Sequence, residues 1–231
     1  FAKVMHNLET DHEFHHHAAL LTLLQISDIV ERADLRSELL QELARQKLVM
    51  ESLKGNPAIA SAKLESILAE IDTAVDALRA ETTKLGQTLR NNEWLMAIKQ
   101  RTGIPGGVCE FDVPSYHYWL NLGPAKRRED IIAWLKPLFP MQQAITIILH
   151  ILRGSGAKTK LLAKEGVYQE MLSGAKPAQM LTIEIPDNTP CFPEVSANKY
   201  AMNIRFIHLD KVQKTQKFEG DVKFTLTLCN L

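Results

Sequence analysis

The chain has 231 residues and a mass of 26.0 kDa, with 45% hydrophobic and 23% charged side chains, enough apolar material for one or two cored domains. Eleven glycines and ten prolines exclude a collagen-like or low-complexity chain. Twenty-seven Lys+Arg balance twenty-seven Asp+Glu, and a formal net charge of zero argues against a general nucleic-acid binder or a polybasic membrane protein.

Cys109, Cys191 and Cys229 show no CxxC or Cys/His ligand spacing and read as reduced side chains of a cytoplasmic protein. No apolar run is long enough to span a membrane; the longest, residues 145–152, is interrupted by Thr146 and His150. The chain begins with Phe1 rather than Met, so an upstream piece is expected.

The first part of the chain reads as helix. Leu20, Leu23, Leu24, Ile26 and Val30 fall at helical spacing after a histidine cluster. Asp34 offers an N-cap, with Glu38 one place beyond the capping-box position. Leu35, Leu39, Leu43, Val49, Met50 and Leu53 mark a second stripe, which Gly55-Asn56-Pro57 stops. Ser61 opens a third helix, with Leu64, Ile67, Leu68, Ile71, Val75 and Leu78 on one face and Lys63, Glu70 and Arg79 on the other. The short Gly-Pro turn makes the second and third stripes an αα-hairpin. A fourth helical stretch runs over residues 85–98. The breaker-rich residues 104–114 predict an ordered loop or a short strand, and residues 115–120 are aromatic-rich. Gly123-Pro124 opens a helix to about Lys136, and a last helix spans residues 141–153.

Beyond Gly154 the hydrophobic period becomes two. Leu181, Ile183 and Ile185, then Tyr200, Met202, Ile204 and Phe206, then Val222, Phe224, Leu226 and Leu228 each alternate with polar residues, the mark of half-buried strands. The fold class expected is therefore α+β: an N-terminal α-helical domain (residues 1–153) followed by a small C-terminal antiparallel β domain (residues 154–231). The first 150 residues hold 16 Lys+Arg against 19 Asp+Glu and the remainder 11 against 8, so positive charge sits on the β part.

Catalytic motifs are weak. Gly154-Ser-Gly-Ala-Lys-Thr159 fails the spacing of a phosphate loop and reads as a basic linker. His12 and His16 would share a helix face, but no further ligand is specified, so no metal is expected. There is no GxSxG, and the thiol alternative is Cys109 with His117 as base. Lys126, Arg127 and Arg128 could serve a nucleic-acid module, which the zero net charge disfavours. What remains is Arg90, Lys99 and Arg101 before the Pro-Gly-Gly loop, His117, Tyr118 and Trp119 after it, and Lys199 and Arg205 by a strand. If they converge, they form a site for an acidic or mixed peptide; otherwise the aromatics are core and the cations a solvated face.

Residues 99–120 (KQRTGIPGGVCEFDVPSYHYWL) resemble the signature block of the ZapD family of FtsZ-associated bacterial division proteins. Residues 36–46 (RSELLQELARQ), 166–169 (GVYQ), 193–206 (PEVSANKYAMNIRF) and 224–229 (FTLTLC) agree with the same family in the same order. The resemblance implies a non-enzymatic homodimer without cofactor that binds the C-terminal tail of FtsZ through a basic pocket. It would bundle FtsZ filaments at the division ring, in the cytoplasm at mid-cell. It carries Arg101, His117, Lys199 and Arg205 over as basic site positions, with Arg90 and Lys99 in support. Glu93 and Ala201 stand where relatives often carry a basic residue, so the pocket is expected to be less positive, and further arginines are expected upstream of Phe1. The helices over residues 34–53 and 61–78 are expected to form part of the dimer face, although a bundle within one chain would use the same stripes.

Overall fold

The computed structural model describes residues 1–231 apart from 33, 58, 82, 173–177, 211 and 212. Helices occupy the first part of the chain and antiparallel sheets the second, so the fold is α+β. Two compact units are Phe1–Ile148 and Leu149–Leu231.

In the first unit α1 (Ala2–Asn7) and α2 (Glu13–Arg32) are followed by an αα-hairpin of α3 (Leu35–Ser52) and α4 (Ser61–Ala80). Asp34 is the N-cap of α3, but its carboxylate accepts from Ser37 Oγ at 2.8 Å rather than from a helix N–H. The stretch expected as one helix over residues 85–98 is two, α5 (Gln87–Arg90) and α6 (Glu93–Thr102). Asn92 makes the break: its backbone is extended, and its side chain accepts from Leu95 N at 3.0 Å, so it starts a new helix instead of continuing the old one. Next come α7 (Pro114–Leu120), α8 (Pro124–Leu135), a 3₁₀ turn (Lys136–Leu138) and α9 (Phe139–Gly154).

α2 packs against α1, α6, α7 and α8. Leu20, Leu23, Leu95, Ile98, Tyr116, Trp119, Ile131 and Leu135 are buried in that core, each large apolar side chain worth about 2 kcal/mol of burial. One expectation is corrected. The helical run Pro124–Gly154 is long and apolar enough, by length and composition, to cross a membrane, because single polar residues such as Thr146 do not interrupt a helix. Its Ile131, Leu135, Leu138, Met141 and Ala144 are buried within the protein.

The second unit holds two antiparallel sheets. One has the order β1 (Ala157–Ala163), β7 (Val222–Cys229), β3 (Met180–Glu184). The other has the order β2 (Val167–Met171), β5 (Ala201–Leu209), β4 (Phe192–Ala197), with β6 (Thr215–Lys217) also on β5. Met202, Ile204 and Phe206 of β5 share a core with Val222, Phe224 and Leu226 of β7, and the Phe206 and Phe224 rings lie 5.3 Å apart. The alternating segments are strands, as expected. The basic stretch read as a linker instead runs into β1, paired along its whole length with β7.

Candidate functional site

Residues 103–113 link α6 to α7 as a series of tight turns. Gly107 N donates to Ile104 O at 2.8 Å, Cys109 N to Gly106 O at 3.1 Å and Val113 N to Cys109 O at 3.0 Å. Gly106 has a φ of +74°, and a Cβ on Gly107 would lie 2.5 Å from Arg101 O, so the glycine pair is required by conformation at one position and by space at the other. Val113 anchors the loop in the core, and Pro114 opens α7 with its φ preset.

This loop gathers charge and exposed apolar surface. Arg101 Nη1 donates to Asp112 Oδ1 at 3.3 Å, and Cys109 Sγ donates to Asp112 Oδ2 at 3.2 Å. On α7, Tyr116 and Trp119 point into the core while His117 and Tyr118 face solvent. His117 Nε2 lies 3.8 Å from Glu110 Oε2 and 3.2 Å from Asn121 Nδ2. Phe111 is 93% exposed, with Ile104 and Tyr118 also exposed. Solvated pairs such as Arg101–Asp112 contribute under about 1 kcal/mol, so an incoming carboxylate can exchange with them at little cost. Of the two aromatics flagged in the sequence, Trp119 is core, its indole N–H bonded to Asp130 at 3.0 Å, and Tyr118 is surface.

Lys99 sits one turn back on α6. Its Nζ lies 2.7 Å from Asp28 Oδ1 and 3.1 Å from Glu31 Oε1 of α2. Burial alone pulls its ammonium down, but hydrogen bonds to Asp28 and Glu31 outweigh that and hold it above the usual lysine value. Arg90 is half-buried, donating to Gln87 Oε1 at 2.9 Å and Leu85 O at 3.3 Å. Glu93 is exposed in the first turn of α6. In the second unit Lys199 lies 4.8 Å from the centre of the Tyr200 ring. Arg205 is exposed on β5, between Val167 of β2 and Glu194 of β4, on the face that also carries Ala201. The structure thus groups Arg101 and His117 with the loop, commits Lys99 and Arg90 to neighbours, and places Lys199 and Arg205 on the β unit.

The family model for ZapD, described as a cell division protein, matches residues 1–205. The chain belongs to the ZapD family. Among curated relatives, cell division protein ZapD of Aromatoleum aromaticum is 46% identical over 231 residues, covering 100% of this chain and 90% of that protein. The Chromobacterium violaceum ZapD is 46% identical, covering 99% of this chain and 91% of its own, and the Nitrosomonas eutropha ZapD is 48% identical, covering 96% and 88%. The chain therefore has a role in cell division. The ZapD match ends at Arg205, so every candidate position lies inside it.

The competing constellations in this ZapD-family chain are structural. Arg127 is buried and donates to His16 Nδ1 at 2.8 Å, to Leu120 O and Asp11 O at 2.7 Å, and to Leu122 O. Arg128 donates to Leu8 O at 2.7 Å and to the Asp11 carboxylate, while Lys126 pairs with Glu129 and Asp130. That basic cluster therefore does not present a free face to nucleic acid. His16, donating to Thr10 O at 2.8 Å, uses both ring nitrogens within the protein, so it does not share an open face with His12. The contact of the Cys109 thiol is a carboxylate, not an imidazole. Phe111 and Asp112 were not legible as site residues. The available signal was an aromatic flanked by Glu110 and Asp112 in a loop too polar to bury it.

Proposed function

We propose that this chain binds the C-terminal tail of FtsZ and, as a homodimer, cross-links and bundles FtsZ filaments at the division ring, in the cytoplasm at mid-cell and without catalysis. Arg101, His117, Lys199 and Arg205 supply the cations for the tail's carboxylates. Lys99 and Arg90 support them by fixing α6 and α5. The observation that carries this reading is the turn-rich loop itself: a nearly naked Phe111 beside loosely paired Arg101 and His117, on the block that resembles the family signature.

A flexible tail loses conformational entropy on a preformed surface, so a single contact is weak. A dimer offsets this, because the second tail binds at high effective concentration. The exposed surface of α3, Leu48 included, is consistent with helices α3 and α4 forming part of the dimer face. The test is sedimentation of FtsZ polymers with this protein, using FtsZ with and without its tail at two salt concentrations. Co-pelleting that requires the tail and fades with salt is the expected result. Binding that survives tail deletion would overturn the assignment.

A further inference from the structure

His117 and Asn121 stand one turn apart at the end of α7, a spacing that puts both side chains on one helix face. Asn121 bonds the His117 carbonyl twice, through its backbone N at 3.2 Å and its side-chain Nδ2 at 2.9 Å. A carbonyl oxygen only accepts, so the side-chain atom beside it is the amide nitrogen and not the amide oxygen. The same Nδ2 lies 3.2 Å from Nε2 of the His117 ring. An amide nitrogen only donates, so Nε2 must accept, and neutral His117 carries its proton on Nδ1.

Nδ1 has no hydrogen-bond partner among the described residues, and the His117 side chain is 49% exposed. A donor is thus held ready for a ligand at the signature loop. Of the charged side chains, Glu110 faces the ring from that loop, with Oε2 3.8 Å from Nε2. A second proton on the ring would go to Nε2, facing Glu110, and Nδ1 would keep its own. The Nδ1–H donor is therefore present in both charge states.

We propose that Asn121 is a positioning residue for tail binding: it fixes His117 as an Nδ1–H donor to a backbone carbonyl of the bound FtsZ tail. Every peptide unit offers such an oxygen, so this contact depends on neither the charge nor the sequence of the tail. The inference rests on the tail-binding reading above. It adds to the charge of His117 a directed hydrogen bond that survives deprotonation.

Two measurements on the full chain test it, both at about pH 8.5, above the range in which imidazoles ordinarily charge. Long-range proton–nitrogen correlation spectra of the free chain should show His117 protonated on Nδ1, its signals assigned by their absence from His117→Gln. Asn121→Ala should weaken that signature with an unchanged circular-dichroism melt. Fluorescence anisotropy with a labelled FtsZ tail peptide then reads the contact. His117→Gln, whose amide nitrogen stands at the Nε2 position, should weaken binding about fivefold, the worth of one hydrogen bond, and Asn121→Ala about threefold. His117→Asn keeps an amide N–H at the Nδ1 position and should lose about twofold or less. A wild-type His117 protonated on Nε2 would overturn the proposal, as would equal losses from His117→Asn and His117→Gln. If all three variants bound as wild type while Arg101→Ala did not, the tail-binding reading would stand and the donor would fall. Failure of the wild-type chain to bind the peptide at all would overturn both.

Discussion

Arg127 Nε donates to His16 Nδ1 across 111 residues of sequence, and the bond fixes the tautomer of a fully buried imidazole. With Nδ1 accepting, the proton must sit on Nε2, where it is donated to Thr10 O. The guanidinium's other bonds reach carbonyls of Asp11, Leu120 and Leu122. One side chain therefore holds together the α1–α2 connection and the α7–α8 connection that follows the signature helix. Removing it by Arg127→Met leaves several buried acceptors unsatisfied and should cost about 3 kcal/mol of stability, read from denaturant midpoints.

The same bond sets a pH dependence. Burial, reinforced by the charges of Arg127 and Arg128, holds His16 below its ordinary value of 6.5, although its bond to Thr10 O pulls the other way. Burial lowers His17 as well; its Nδ1 accepts from the Tyr116 hydroxyl, itself kept protonated by burial. About one pH unit or more above 6.5 both histidines are essentially neutral in the folded and unfolded chain, and they contribute little slope. As pH falls through 6.5, the unfolded chain takes up protons first, so stability drops until the folded values are also passed. Denaturant midpoints should therefore fall between about pH 7.5 and about pH 5.5, and His16→Gln should flatten part of that decline. A midpoint independent of pH in this window would contradict the neutral, buried assignment.

Lys99 offers a different test, because it is a site candidate that the fold has already engaged. Lys99→Met should leave Asp28 and Glu31 facing each other without a cation and lower stability by about 1 kcal/mol. The double variant Asp28→Asn/Glu31→Gln should remove most of that penalty in a double-mutant cycle. Additive effects would show that Lys99 is not coupled to α2.

The long helices α2, α3, α4, α8 and α9 and the three alternating strands were legible because their apolar positions repeat at 3.6 or at two, whereas the short α1 and α7 were not, and α5 and α6 read as one. β1, β2, β4 and β6 were not legible either. β1 is exposed over most of its length, so Lys158, Thr159 and Lys160 show no alternation, and it is a strand only because β7 pairs with it. β4 carries Pro193 and is mostly exposed, which hides it in the same way. At the site, the Gly-Gly and Pro residues marked the loop. The partners of Lys99 lie on α2, 68 residues or more away in sequence for Glu31 and Asp28, and no local pattern could separate it from a free cation.

The loop's geometry can be probed without touching a charged group. Gly107→Ala places a methyl 2.5 Å from Arg101 O and 2.9 Å from Ile104 Cβ, so the turn must open; Gly103→Ala meets nothing within 4 Å. Gly107→Ala should lose about 1–3 kcal/mol of stability and tail-dependent co-pelleting together. Gly103→Ala should keep both.

Phe111 separates binding from folding most cleanly. At 93% exposure its side chain contributes little to the core, so Phe111→Ser should leave the thermal midpoint unchanged or slightly raised. If the loop is the tail-binding surface, the same variant removes the apolar anchor beside Arg101, and affinity for FtsZ should fall about tenfold, comparable to Arg101→Ala. The two losses should respond differently to salt. Wild type and Phe111→Ser should weaken in parallel as ionic strength rises, whereas Arg101→Ala should show a shallower dependence because one screened contact is already gone. Equal slopes for all three, measured by co-sedimentation across a salt series, would remove Arg101 from the binding surface while leaving Phe111 on it.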